Sequence, residues 1–219
     1  MVASAPSPQP STPSPRLRLG IFGGSFDPVH NGHLALARAC QQQAVLDEVW
    51  FVPTAIQPLK HGGPQATDAQ RVEMLRLATS DESSWRVCTL EIDRGGCSYT
   101  VDTLRQIHEE LPEAELFFLM GADVIRDVPR WKEPDEIFSL ATAIIVTRVG
   151  KPPEDAAVLK LISLLQDRPL MVEMPVADVS SSEIRRRCAA SEPIDGLVPQ
   201  PVAEYIRTNS IYSRESREP

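Results

Sequence analysis

Apolar residues along this chain fall into short runs, separated by stretches in which they recur at every third or fourth position. The runs Leu17–Phe22, Glu48–Val52, Arg86–Leu90, Glu115–Met120, Ala141–Thr147 and Leu170–Glu173 read as strands. LFFLM (116–120) and AIIV (143–146) are continuous rather than alternating, which suits strands covered on both faces of a parallel sheet. The stretches between them carry helical spacing. Leu34–Gln43 turns Leu34, Ala37 and Cys40, or Ala35 and Ala39, inward, and Asp68–Thr79 spaces Val72, Leu75 and Ala78 by three. Val101–Leu111 presents Val101, Leu104, Ile107 and Leu111, and Ala156–Leu165 presents Val158, Leu161, Ile162 and Leu165. From Val179 onward the pattern is helical with no further strand. Strand and helix alternate without an internal repeat, which predicts an α/β fold: a doubly wound, mainly parallel sheet with C-terminal helices. The Pro/Gly-rich stretch 53–64 and Arg148–Asp155 read as loops.

Composition sets the limits of the folded unit. Residues 1–15, MVASAPSPQPSTPSP, bury too little apolar surface to offset their ordering entropy and are expected to be a disordered tail. Residues 16–213 suit a single domain, and 214–219 a disordered C-terminus. Of the 219 residues, 42% are hydrophobic, enough for a full core. The net charge of −8 argues against general affinity for nucleic acid, which needs a basic surface. An anionic ligand would therefore have to be held by a local cluster of cations. Cys40, Cys88, Cys97 and Cys188 form no CxxC, the closest pair being nine apart, and read as reduced thiols. No apolar stretch approaches membrane-span length and the N-terminus lacks a secretion signal, so a cytoplasmic location is expected.

The candidate chemistry begins at GGSFDPVHNGH, residues 23–33, which follow the first strand run. In an open parallel sheet, ligands bind beyond the carboxyl ends of strands, near the reversal of strand order. Gly23 and Gly24 remove β-carbons, so backbone N–H groups there could approach a phosphate closely. Pro28 fixes a bend. His30 and His33, three apart, share one face of a helical turn, and Gly32 between them leaves bare backbone against which a flat base could lie. The stretch has neither the GxGxxG spacing of dinucleotide-binding turns nor the GK[ST] of a P-loop. Two histidines alone do not make a metal site, and no third ligand lies nearby in sequence.

Cations to match appear late in the chain, in VSSSEIRRR (179–187). Ser180 and Glu183 fit a capping box that starts a helix. The first-turn N–H groups, with the hydroxyls of Ser181 and Ser182, form an anion site, and Arg185 one turn in can reach the same anion. Arg186 and Arg187 read as a solvated basic face.

Taken together, these strings carry a resemblance. GGSFDPVHNGH resembles the first signature of the nucleotidyltransferase superfamily, with His30-Asn31-Gly32-His33 as its HxGH box. VSSSEIR resembles the second, commonly ISSTxIR, with Val179 and Ser182 as departures. PTAIQPLK (53–60), SYTVDTL (98–104), MGAD (120–123) and PRW (129–131) add likeness to the bacterial nicotinate-nucleotide adenylyltransferases over nearly all of Leu19 to Tyr212. The resemblance implies a Rossmann-like nucleotidyltransferase fold and an enzyme that joins ATP to nicotinate mononucleotide, giving deamido-NAD and pyrophosphate. His30, His33 and Arg185 would be catalytic. Gly23, Gly24, Ser25, Phe26, Gly32, Gly121, Asp123, Ser181 and Ser182 would meet ATP, with Gly121 and Asp123 on its ribose. Lys60, Thr100 and Trp131 would hold the mononucleotide, although Thr54, Gln57 and Leu59 depart from the family's usual loop. Mg²⁺ would be carried mainly by ATP, with no metal-binding residue of the chain's own. Nicotinamide mononucleotide or pantetheine phosphate as the acceptor, and a non-catalytic nucleotide-binding regulator, stay open as alternatives, as does the oligomeric state.

Overall fold

The computed structural model describes residues 16–59, 62–122, 124–149, 159, 169–175 and 179–213. The expectations for the tail 1–15, for Lys60, for Asp123, for nearly all of the helix 156–165 and for 214–219 lie outside the described residues. Six strands form one parallel sheet: β1 (Arg18–Gly24), β2 (Glu48–Pro53), β3 (Trp85–Val87), β4 (Glu115–Gly121), β5 (Thr142–Arg148) and β6 (Leu170–Met174). Their order is β3-β2-β1-β4-β5-β6, the doubly wound arrangement in which the chain leaves β1 in one direction and returns to its other side at β4. Gly23 lies opposite Val52 and Ile21 opposite Phe118, so the carboxyl ends of β1, β2 and β4 open side by side.

The continuous apolar runs are explained by two cores. In β4, Phe117 and Leu119 point into one cluster, while Leu116, Phe118 and Met120 point into the other. β5 divides the same way, with Ile144 and Val146 against Ala143 and Ile145. The first core is covered by α1 (Asn31–Gln43), α2 (Asp68–Thr79) and the two late helices, α6 (Ser181–Ala189) and α7 (Gln200–Thr208). The second is covered by α4 (Thr100–Glu110) and α5 (Pro134–Leu140), through Val101, Leu104, Ile107 and Ile137. Among the described residues no helix is long and apolar enough to cross a membrane.

Most element ends lie within one or two residues of the sequence reading, and two differ by three. The strand expected over Arg86–Leu90 stops at Val87, because Leu90 opens the short helix α3 (Leu90–Arg94), which Gly95 ends at φ +68. A short edge strand also limits the unpaired backbone exposed there. At the first junction, α1 begins at Asn31 rather than Leu34, which makes His30 the residue that caps it. Between β4 and α5 a 3₁₀ segment, Val124–Arg130, carries the chain past the end of the sheet.

Candidate active site

The first turn is compact and polar groups fill it. After β1 the backbone passes through Phe26 at φ +46, a strained value for an aromatic residue, and a cis peptide between Asp27 and Pro28. The Phe26 ring is buried against Phe22 and His33, so this residue anchors the turn in the core. His30 and His33 stack with ring centroids 3.7 Å apart and planes 21° apart. The His30 backbone N–H donates to His33 Nδ1 at 3.2 Å. With Nδ1 accepting, a neutral His33 carries its proton on Nε2, as a donor. His30 lies behind it and is only 7% exposed. Burial lowers its pKa to about 4, against a smaller opposing backbone hydrogen bond, so the ring is neutral near pH 7.

Gly32 is also a close-packing position. A β-carbon there would come within 3.0 Å of Val179 and 3.1 Å of the His30 ring. Its bare backbone lets the segment before α6 lie against the capping histidine.

Beyond the ends of β1, β2 and β4 lies a cleft of about 520 Å³. Gly23, Gly24, Ser25 and His33 line one side, Gly121 the end of β4, and Thr100 and Trp131 the far side. Thr100 is the first residue of α4, whose leading N–H groups have no helix carbonyl to meet. Trp131 is half-buried and sets its ring edge on Phe118, with centroids 5.8 Å apart. Lys132 stands over the Tyr99 ring and pairs with Asp102 at 2.9 Å. Glu91, 5% exposed, accepts from Thr103 Oγ1 at 2.6 Å, and its pKa is raised because burial outweighs these contacts. Thr54 lines the cleft with a buried Oγ1 that has no hydrogen-bond partner, a place where a ligand's polar group would be satisfied.

Two segments remote in sequence meet at the rim. Ser180 caps α6, accepting from the Glu183 N–H at 3.2 Å. Ser181 Oγ donates to the Pro28 carbonyl at 2.9 Å, and Arg185 Nη1 to the Asp27 carbonyl at 2.6 Å. Arg185 Nη2 also reaches Ser182 Oγ at 3.2 Å. Asn31, at the start of α1, donates from its backbone to Leu197 and from its side chain to Gly196. The late helix is thus fastened directly onto the turn that carries the histidines. Arg186 and Arg187 pair instead with Glu183 and Glu192, as a solvated face would.

Of the residues selected from sequence, the structure gathers Gly23, Gly24, Ser25, His33, Gly121, Thr100 and Trp131 around the cleft. His30, Gly32, Ser181, Ser182 and Arg185 stand behind and beside the histidine turn without lining it. The Phe26 side chain belongs to the core. Sequence reasoning missed three buried residues that hold this assembly. Arg71, fully buried on α2, donates to the Ser25 carbonyl at 2.7 Å and the Thr54 carbonyl at 2.6 Å, joining the loops after β1 and β2. Asp27 accepts from the backbone N–H groups of Gln65 and Ala66, and Tyr212 donates its hydroxyl to Asp27 at 2.7 Å. A charge on the apolar stripe of α2, beside Val72, was the one available signal for Arg71.

The cytidylyltransferase-like family model matches residues 21–187, which contain the turn, the cleft and the start of α6. A probable nicotinate-nucleotide adenylyltransferase of Corynebacterium kroppenstedtii is 43% identical over 205 residues, covering 93% of this chain and 94% of that protein. The nicotinate-nucleotide adenylyltransferase of Bacillus subtilis is 39% identical over 195 residues, covering 89% and 98%. Among solved structures, Plasmodium falciparum nicotinic acid mononucleotide adenylyltransferase complexed with NaAD superposes with a TM-score of 0.73. It is 22% identical and covers 89% of this chain and 97% of that one. At that identity the likeness establishes the fold.

Proposed function

The chain belongs to the cytidylyltransferase-like family and, within it, to the nicotinate-nucleotide adenylyltransferases, and from that membership we propose how its residues carry the reaction. It is an adenylyltransferase of NAD biosynthesis that joins ATP and nicotinate mononucleotide into nicotinate adenine dinucleotide and pyrophosphate. A phosphate oxygen of the mononucleotide attacks the α-phosphorus of ATP, the bond from that phosphorus to the bridging oxygen breaks, and pyrophosphate leaves with the electron pair. The attacking phosphate is already ionised, so no enzyme nucleophile or base is required. The protein's share is alignment and stabilisation of charge.

The observation that carries this assignment of roles is the fastening of the late helix to the histidine turn through Pro28 and Asp27. It supports the reading that donors from both segments act on one polyanion. In this reading the amides near Gly23 and Gly24 and the Nε2–H of His33 act on the α- and β-phosphates, with His30 stacked behind to fix the ring. Arg185 and the start of α6, with Ser181 and Ser182, take the departing pyrophosphate. The ATP ribose lies at the end of β4 near Gly121, with Asp123 as the carboxylate for its hydroxyls. The pyridine ring lies between the start of α4 at Thr100 and Trp131, where orphan N–H groups suit a carboxylate and an aromatic face suits the ring. Lys60 is assigned to the mononucleotide phosphate. Among the described residues no three His, Cys, Asp or Glu side chains converge as a metal cage. In this reading Mg²⁺ would arrive with ATP as the Mg·ATP substrate, held mainly by phosphate and water.

The test is pyrophosphate release from ATP and Mg²⁺ with each of three acceptors. Release with nicotinate mononucleotide, and a much lower kcat/KM with nicotinamide mononucleotide, is expected. Release only with phosphopantetheine, or nucleotide binding without turnover, would overturn the reading.

A further inference from the structure

Asp27 lies where four segments meet: the histidine turn, the loop before α2, the late helix and the segment around Tyr212. It is 5% exposed, and its carboxylate receives three close donors. Gln65 N–H reaches Oδ2 at 2.8 Å, Ala66 N–H reaches Oδ1 at 3.0 Å, and the Tyr212 hydroxyl reaches Oδ1 at 2.7 Å. Arg185 Nη1 stands 3.6 Å from Oδ2, outside hydrogen-bond range, while the same nitrogen donates at 2.6 Å to the Asp27 backbone carbonyl. A buried carboxylate next to a guanidinium ordinarily closes into a tight charge-assisted pair. Here three other donors reach the carboxylate first, two on Oδ1 and one on Oδ2.

We propose that Tyr212 is a positioning residue for the reaction: by saturating Asp27 it keeps Arg185 available to the polyphosphate instead of locked against the carboxylate. This rests on the role given to Arg185 above. Tyr212 is suited to the task. It is 3% exposed, and burial, with Asp27's charge adding to it, pushes its phenol well above the usual range, so the hydroxyl stays a donor at every working pH. If that hydroxyl is removed, Oδ1 loses its shortest donor in a place water reaches poorly. The cation placed to compensate is Arg185, whose Nη1 already stands 3.6 Å from the other oxygen of the same carboxylate, Oδ2, about 0.7 Å beyond an ordinary hydrogen bond. Its capture would withdraw the guanidinium edge from the departing pyrophosphate.

The experiment is steady-state kinetics of Tyr212→Phe in the wild-type and Arg185→Ala backgrounds, with thermal unfolding of each variant. The expected result is a fall in kcat of about tenfold, the scale of one hydrogen bond to a charged group, with KM for nicotinate mononucleotide changed less than about twofold. In the Arg185→Ala background the same substitution should have no further effect on kcat, because the group through which it acts is gone. Wild-type turnover in Tyr212→Phe overturns the proposal. So does an equal tenfold loss in the Arg185→Ala background, the signature of a purely structural role. Wild-type turnover in Arg185→Ala alone would instead remove Arg185 from the polyphosphate, and the premise with it.

Discussion

The two histidines of the first turn differ in what their surroundings permit. His33 borders the cleft and accepts the His30 N–H on Nδ1, leaving Nε2 to donate. On the proposed mechanism, His33→Ala removes one donor aimed at developing charge, so turnover should fall roughly 10²- to 10³-fold with a much smaller change in mononucleotide affinity, measurable by steady-state kinetics. His30 is buried and held neutral, with a pKa lowered to about 4 from an ordinary 6.5. Below pH 6.5 the unfolded chain takes up a proton there that the folded protein resists. The stability owed to this group is therefore fully present above pH 6.5 and is lost as pH falls toward 4, by an amount on the order of 3 kcal/mol. Denaturant midpoints should drop between pH 7 and pH 5 in the wild type and drop less in His30→Asn; equal slopes in the two would refute this. Both histidines were legible in sequence because their spacing and neighbours are distinctive. Asp27 and Tyr212 were not, since nothing in the order of residues announces that a carboxylate in the turn and a phenol near the end of the chain will touch.

At the scale of elements, the two loops that frame the cleft are joined through a helix that contributes no group to the cleft itself. Arg71 on α2 satisfies the Ser25 and Thr54 carbonyls at once. Arg71→Leu would remove the guanidinium donor from both carbonyls, each loss costing about 1–3 kcal/mol. Loss of roughly 2–4 kcal/mol of stability is expected in urea denaturation, together with a raised KM for both substrates as the loops drift apart; an unchanged midpoint would contradict it. The bounds of α2 were readable to the residue because an amphipathic period and a cap coincide: Thr67 Oγ1 accepts from Gln70 N–H while Gln70 Oε1 accepts from Thr67 N–H. The stretch after β3 was misread because Leu90 continues an apolar run in sequence. In the fold it starts α3, a helix that buries Glu91 beside the cleft.

For the whole molecule, the strand runs predicted the architecture because each alternate residue serves one of two cores, a demand that shows directly in composition. The convergence of the first turn and α6 is a matter of topology, and resemblance alone suggested it. An excess of negative charge overall, −8, makes that convergence necessary, since polyphosphate must find its cations locally. Residues 1–15 contribute no chemistry to this account, and their deletion should leave kcat and both KM values within about twofold, below the ~1 kcal/mol expected from loss of even one substrate contact. The central claim, that both segments grip one polyanion, is tested most directly by calorimetric titration of Mg²⁺-pyrophosphate into the wild type, His33→Ala, Arg185→Ala and the double variant. Each single substitution should weaken binding by about tenfold or more, and the double by less than the product of the two. Wild-type affinity in Arg185→Ala would contradict the claim.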